Sequence, residues 1–349
     1  MRKWVLNDKL SILALTQKEY SEGVYDLLGR GKHHANLLYR EFYHTGYLKG
    51  LASDFTGSTK VLLREIVVAT FISTLKIASC QSEDSVVKYL LRTEDSQFIE
   101  SVLVPMQSGY TLCLSSQVGC SRGCAFCETA KMGLTRNLTV EEIVAQVYQL
   151  QVHEGYSINN IVFMGMGEPM DNYDNVMQAI RVLTDQGGLA FGCRSITVST
   201  CGHVPNIERF TQEAPAALNL AVSINASNDI IRSKIMPINN LYPMADIKKA
   251  LEKYCSTGKR KVLIGYVLLR NFNDSLTSAE ELAVYLQGLD VKVNVIPYNG
   301  EKGLWAASTT PQTEGFIGIL RAVGLQVLLR RTKGSSIEAG CGQLRAEFQ

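Results

Sequence analysis

Cys120-Ser-Arg-Gly-Cys124-Ala-Phe-Cys127 is the stretch from which the rest of the chain is best read. Three cysteines stand within eight residues, directly after an apolar run, Tyr110 to Ser115, that reads as a strand. Thiolates are soft ligands suited to iron–sulfur clusters. Three on one short loop can hold three corners of a [4Fe–4S] cubane and leave the fourth iron open to a substrate ligand. The alternative is tetrahedral zinc, which needs a fourth ligand, often from a second Cys/His pair. No histidine stands nearby; the next are His153 and His203. Ligand count and spacing therefore favour a cluster on Cys120, Cys124 and Cys127.

Outward from this loop the chain alternates. Strand candidates are Ile161–Met164, Ser195–Ser199, Leu218–Ser223, Val262–Leu269, Val291–Pro297 and Leu325–Arg330. Amphipathic helical stretches lie between them, one opening at Thr139 with Glu142 three residues on, a capping box. Regular β–α alternation predicts a parallel sheet. About six units are too few for a closed eight-fold barrel, so the expected α/β fold is a partial (β/α)6 barrel with its chemistry at the strand C-termini. Before it, Phe98–Val104 reads as a strand and Ser108-Gly109 as a turn. Residues 1–95 read as a small helical domain, with apolar residues at helical spacing from Val24 to Phe42 and from Val61 to Ile77. The expected division is thus 1–95 and 96–349.

Composition sets wider bounds. The chain has 349 residues, 46% hydrophobic and 19% charged, a globular balance. Its most apolar region is broken by Arg64, Glu65 and Lys76, so no membrane span is expected. Asp8 and Lys9 interrupt any signal-peptide core, which makes a cytoplasmic protein the expectation. Without an export signal, nine cysteines do not read as a disulfide framework. Net charge is +2, but residues 1–80 hold eleven Lys/Arg against seven Asp/Glu, a net of +4. A mildly basic N-terminal region is compatible with an RNA-facing surface and equally with an ordinary solvated helical face.

The CxxxCxxC loop, with its aromatic before the third cysteine, resembles the radical S-adenosylmethionine (SAM) superfamily. There the open iron chelates the amino and carboxylate groups of SAM, and one electron cleaves it to methionine and a 5′-deoxyadenosyl radical. Gly165-Met-Gly167-Glu168-Pro169 resembles that superfamily's SAM amine-binding element. Further motifs narrow the resemblance: Leu112-Cys113-Leu-Ser-Ser-Gln-Val-Gly-Cys120, Arg136-Asn137-Leu138, Met236-Pro237-Ile238-Asn239 and Ala339-Gly340-Cys341-Gly342-Gln343-Leu344. Together they resemble the RlmN/Cfr group, dual-cysteine enzymes that methylate adenosine in RNA. Leu28-Gly-Arg-Gly-Lys32 resembles part of that group's small RNA-binding domain.

The resemblance implies a mechanism and a set of residues. Adenine C2 or C8 is not a usable nucleophile, so a radical must add to it. Cys341 would accept a methyl from one SAM, and a radical from a second SAM would activate that methyl. Cys113 would release the product by a disulfide with Cys341, and Glu100 would take the ring proton. Gly167, Glu168, Ser199, Ser223, Ile224, Asn225 and Asn299 match SAM contacts. C2 is favoured on Thr129-Ala130 and Arg136-Asn137, with C8 the alternative. The implied partners are ribosomal or transfer RNA and an electron donor such as flavodoxin or ferredoxin, for a chain acting as a monomer. An activase making radicals for another protein would leave Cys113, Cys341 and Glu100 unexplained. A non-catalytic RNA-binding paralogue would have lost its cysteines, and none is lost. The sequence also departs from the group. Asn225 stands for the usual His, Gly300 for Pro and Gly340 for Ala, and the two glycines should loosen their loops.

Overall fold

The computed structural model describes residues 5–6, 9–48, 57–258, 261–299, 304–330, 334 and 336–346. Gly300 lies outside the described residues. Among the described residues, short strands at Val5–Leu6 and Lys9–Ser11 precede the helices α1 (Gln17–Leu28), α2 (Lys32–Thr45) and α3 (Gly57–Val68). Gly29 (φ 67°) ends α1 and Gly31 (φ 96°) opens α2, both left-handed. The Leu28–Lys32 segment is therefore a helix corner, a conformation that glycine reaches without strain.

The helical expectation for residues 1–95 does not extend past Val68. Lys76–Glu83 and Val86–Arg92 are antiparallel strands, and Ile77 lies on the first of them. Their turn takes positive φ at both Asp84 and Ser85, 47° and 65°, with no glycine to mark it. Val86 to Leu91 are all buried, so the alternation that marks a half-buried strand is missing.

With these two, ten strands form one sheet in chain order: β1 (Lys76–Glu83), β2 (Val86–Arg92), β3 (Phe98–Pro105), β4 (Tyr110–Cys113), β5 (Ile158–Phe163), β6 (Ile196–Thr200), β7 (Asn219–Ser223), β8 (Val262–Leu268), β9 (Val291–Pro297) and β10 (Gln326–Leu329). β1 to β4 pair antiparallel. β4 to β10 are all parallel. The crossovers carry α4 (Val140–Tyr148), α5 (Tyr173–Leu183), α6 (Val204–Glu213), the pair α7 (Asp229–Ile235) and α8 (Met244–Ser256), α9 (Leu276–Leu286) and α10 (Thr310–Ala322). These are the six expected β–α units, with β10 added as a seventh parallel strand. The capping box at α4 is present, Thr139 and Glu142 each accepting from the other's backbone N–H.

Alternate strand residues serve opposite faces. Ile196, Val198, Leu220, Ile264, Val293 and Val295 are buried almost completely. Ser199, Ala221, Ser223, Leu263, Gly265 and Asn294 line one cleft. Strands from β5 to β9 share that cleft, so the sheet curls around it as a partial barrel. The N-terminal helices dock on the outside. Phe42 stacks on Tyr148 of α4 at 4.5 Å, and Gln178 of α5 donates to the Ala14 carbonyl at 2.8 Å. The two regions share one apolar core. Among the described residues, no helix is long and apolar enough to cross a membrane.

Candidate active site

The cysteine loop is a hairpin held at its neck, where Gln117–Gly119 pairs with Leu134–Asn137. Gly119 has φ 78°, and a Cβ there would lie 1.9 Å from the Gly133 carbonyl oxygen. Cys120 N–H donates to that same oxygen at 2.8 Å. Arg136 forks onto Asp95 and Glu142, with all four contacts at 2.7–2.8 Å. It holds the Asp95 carboxyl well below the usual carboxylate range. The Arg136-Asn137-Leu138 motif thus clamps the hairpin to the turn before β3 and to the start of α4.

Cys120, Cys124 and Cys127 all face the cleft, whose volume is about 180 Å³. Burial pushes each thiol up, Cys120 to about 11. As free thiols they stay protonated at neutral pH, and metal binding would drive them to thiolates. Among the described residues, no three His, Cys, Asp or Glu side chains close on a single metal ion. Three sulfurs around an open wall fit the corners of a cubane whose fourth iron faces the cavity.

Beside them, the Gly165–Pro169 loop lies flat against the exit of β4. A Cβ at Gly165 would come within 2.6 Å of the Leu114 backbone, and one at Gly167 (φ 97°) within 2.5 Å of the Gln117 side chain. Glu168 is buried on the cleft wall. Its carboxylate accepts from the N–H of Met170 at 3.0 Å and of Cys201 at 2.8 Å. A carboxylate has about four acceptor positions, so capacity remains for an ammonium group.

The other cofactor candidates divide. Gly167, Ser199, Ser223 and Asn225 line the cleft. Asn225 sits at φ 56°, a conformation that Asn tolerates better than most side chains. Its amide oxygen accepts from Val267 N–H at 2.9 Å. The residue replacing the usual His is thus committed largely to shaping the wall. Ile224 is wholly buried off the cleft, its N–H donating to the Gly265 carbonyl and its own carbonyl accepting from Arg232 Nε. Asn299 also lies off the wall, where its carbonyl accepts from Gln343 at 2.9 Å.

The C-terminal segment is stitched over the cleft. Glu128 N–H donates to the Gly342 carbonyl at 2.7 Å, and Thr129 Oγ1 to the Leu344 carbonyl at 2.5 Å. Gly340 N–H donates to Gln343 Oε1 at 2.9 Å. A Cβ on Gly340 would meet Gln343 Oε1 at 2.5 Å and Asn299 Nδ2 at 2.6 Å. Gly340 therefore admits a packed amide pair, which corrects the expectation of a loosened loop at this position.

Cys341 faces the cleft from this segment. Arg330, just past β10, donates from Nη1 to its Sγ at 3.1 Å. Cys113 ends β4, and Cys341 is near enough to disfavour ionisation of the Cys113 thiol. Burial first, then Cys341, pushes the Cys113 thiol up to about 12, with Arg330 opposing. Both thiols are free. Glu100 is nearby on β3 but not on the cleft wall. Lys88 pairs with it at 3.3 Å, and Arg345 N–H caps its other oxygen at 2.9 Å. Sequence reasoning missed Arg330 and Lys88. Nothing near either in sequence marks it, because Lys88 meets Glu100 only through sheet pairing and Arg330 meets Cys341 only where the C-terminal segment folds back.

The radical SAM superfamily model matches residues 114–282. A solved structure, a radical SAM methyltransferase from Sphaerobacter thermophilus, superposes with a TM-score of 0.89 at 38% identity, covering 97% of this chain and 99% of that one. Fold, thiol loop and glycine cradle therefore define a radical SAM enzyme. The chain is 46% identical over 96% of its length to "Probable dual-specificity RNA methyltransferase RlmN 1" of Protochlamydia amoebophila, of which it covers 94%. It is 41% identical over 92% of its length to the "Dual-specificity RNA methyltransferase RlmN" of Geobacter sulfurreducens, covering 89% of that protein. It belongs to the RlmN family of radical SAM RNA methyltransferases.

Proposed function

We propose that this enzyme methylates an adenine ring carbon in ribosomal or transfer RNA, C2 by preference, through a methylated Cys341. The observation that carries the reading is that Cys341, on the wall of the three-cysteine cleft, and Cys113, from the opposite end of the barrel sequence, both lie within electrostatic reach of Arg330 and of each other. When bound, the cluster and SAM supply the radical that activates the methyl carbon. Cys341 Sγ takes the methyl as the sulfonium S–CH3 bond of a first SAM breaks, so each turnover uses two SAM. The activated carbon on Cys341 adds to the base. Glu100 takes the ring proton, which requires Arg345 N–H to release its oxygen. Cys113 then attacks the sulfur of Cys341, forming the S–S bond as the S–C bond breaks. The freed carbon takes a proton to become the methyl, and the odd electron passes back to the electron carrier. An external dithiol reduces the disulfide before the next turnover. An external donor such as flavodoxin or ferredoxin supplies the electron. The enzyme works as a cytoplasmic monomer. Mass spectrometry of RNA nucleosides from cells with and without the protein tests this directly. Loss of 2-methyladenosine on deletion is expected. Loss of 8-methyladenosine would move the reaction to C8, and no change in either would refute the reading.

We assign RNA contact to the N-terminal helices, where α2 exposes Lys32, His33, Arg40 and His44. Lys32→Glu with Arg40→Glu should weaken RNA binding at least ~10-fold at moderate salt and flatten its salt dependence. SAM binding should not change. Unaltered RNA affinity in the folded double variant would remove this role.

A further inference from the structure

Arg330 belongs to no motif in the chain, yet its guanidinium points at the sulfur on which the proposed chemistry turns. Its backbone N–H is fixed to the Val295 carbonyl at 2.9 Å, so the edge strand aims it. Nη1 meets Cys341 Sγ at 3.1 Å, within hydrogen-bond reach for a sulfur acceptor. The strongest influence raising the guanidinium's pKa is Cys341, and Cys113 is a lesser one. Among the described residues, Arg122 and Glu168 line the same cleft, and Arg122 is paired with Asp171. Glu338 is paired with Arg345 at 3.1 Å, and Glu100 with Lys88 at 3.3 Å. Glu128 of the cluster loop pairs with Lys131 at 2.6 Å. Glu338, Glu100 and Glu128 each have their own cation, and Arg330 is directed at Cys341 Sγ.

A guanidinium placed on a thiol favours its anion and fixes its direction, and a thiolate is the form that displaces a methyl from a sulfonium. We propose that Arg330 positions Cys341 Sγ and holds it as the thiolate that accepts the methyl, and then turns its charge to Cys113 once Cys341 is a neutral thioether. In the first step the S–CH3 bond to Cys341 forms as the sulfonium S–CH3 bond breaks, and thiolate and sulfonium charges cancel. The thiol proton has already gone to solvent, and no oxidant or reductant is needed. In the second, Arg330 opposes the burial that pushes the Cys113 thiol up.

This assignment rests on Cys341 being the methyl carrier, and the two are tested separately. The rate of iodoacetamide alkylation at Cys341 is followed by peptide mass spectrometry across pH, in the full-length, cluster-loaded enzyme. Arg330→Met should slow alkylation about tenfold or more at neutral pH and move the midpoint of the profile upward by about one unit or more. Arg330→Lys should recover most of the rate. Arg330→Gln keeps a donor without charge, should resemble Met, and serves if Met fails to fold. A Gln or Met variant with intact cluster absorbance and an unchanged profile overturns the assignment. In parallel, wild-type enzyme incubated with SAM should carry one added methyl on Cys341. No methyl there, with the alkylation shift still present, would sink the carrier reading alone.

Discussion

Cys113→Ala is expected to abolish RNA turnover and to accumulate enzyme joined covalently to its RNA. On the proposed mechanism, methylation of Cys341 uses Cys341, Arg330 and a bound SAM but not Cys113, so it should proceed normally. The carbon should then add to the base and remain there, because release requires a second sulfur to attack Cys341. Cys113 is the thiol that interacts with Cys341 across the top of β4. A disulfide needs Cα atoms within about 7 Å, so a distant cysteine cannot substitute. Cys80 is exposed on β1, Cys193 and Cys255 lie at the strand entry ends, and Cys201 is buried in the cleft wall with its backbone held by Glu168 and Arg232. The adduct should survive denaturation on a gel and collapse to free protein with ribonuclease. Cys341→Ala should give neither adduct nor product. Normal RNA methylation by Cys113→Ala, without adduct, would end the two-thiol mechanism for this enzyme.

The chemistry of this site is legible in the sequence where it is carried by residues close together in the chain. The CxxxCxxC loop and the Gly165–Pro169 turn are of that kind, and both face the cleft. Strand and helix alternation is legible for the same reason, since each β–α unit is a local pattern. What stays hidden depends on contacts between distant elements. Lys88 looks like an ordinary charge in a strand, and only the pairing of Leu90 with Glu100 across β2 and β3 brings its ammonium to that carboxylate. Ile224 shows the converse. It sits at a strand end where ligands bind, yet strand-end placement does not say which way a side chain turns. Between Ser223 and Asn225 the backbone moves to positive φ, and Ile224 goes into the core.

The Met236-Pro237-Ile238-Asn239 motif has a structural reason that its sequence does not disclose, and it leads to the largest expected loss of stability. Asn239 Oδ1 accepts from Nη1 of Arg232 at 3.0 Å, and Asn239 Nδ2 donates to Asp229 and Ser233. Arg232, on α7, is completely buried. Its guanidinium also donates to the carbonyls of Cys201 (2.6 Å), Ile224 (3.1 Å) and Ser223 (3.2 Å). One side chain therefore ties the ends of β6 and β7 to α7, and the Ile235 carbonyl at the end of α7 receives Ala125 N–H from the cluster loop at 2.9 Å. Burial lowers the guanidinium pKa, but from so high a value that the group remains a cation. Arg232→Met would remove the charge and leave four oxygen acceptors unpaired in a dry interior. The expected cost is on the order of 3–5 kcal/mol, since each orphaned buried group costs about 1–3 and local relaxation recovers part. In a chain this large the melting temperature should fall by roughly 5–10 °C, measured anaerobically on the cluster-loaded enzyme. Lysine should rescue little, because its ammonium has three donors and no planar fork to span carbonyls on two strands. SAM affinity should fall with stability, since Ser223 and Cys201 lie on the cleft wall. A melting temperature within about 2 °C of wild type would show that these strand ends hold their places without Arg232.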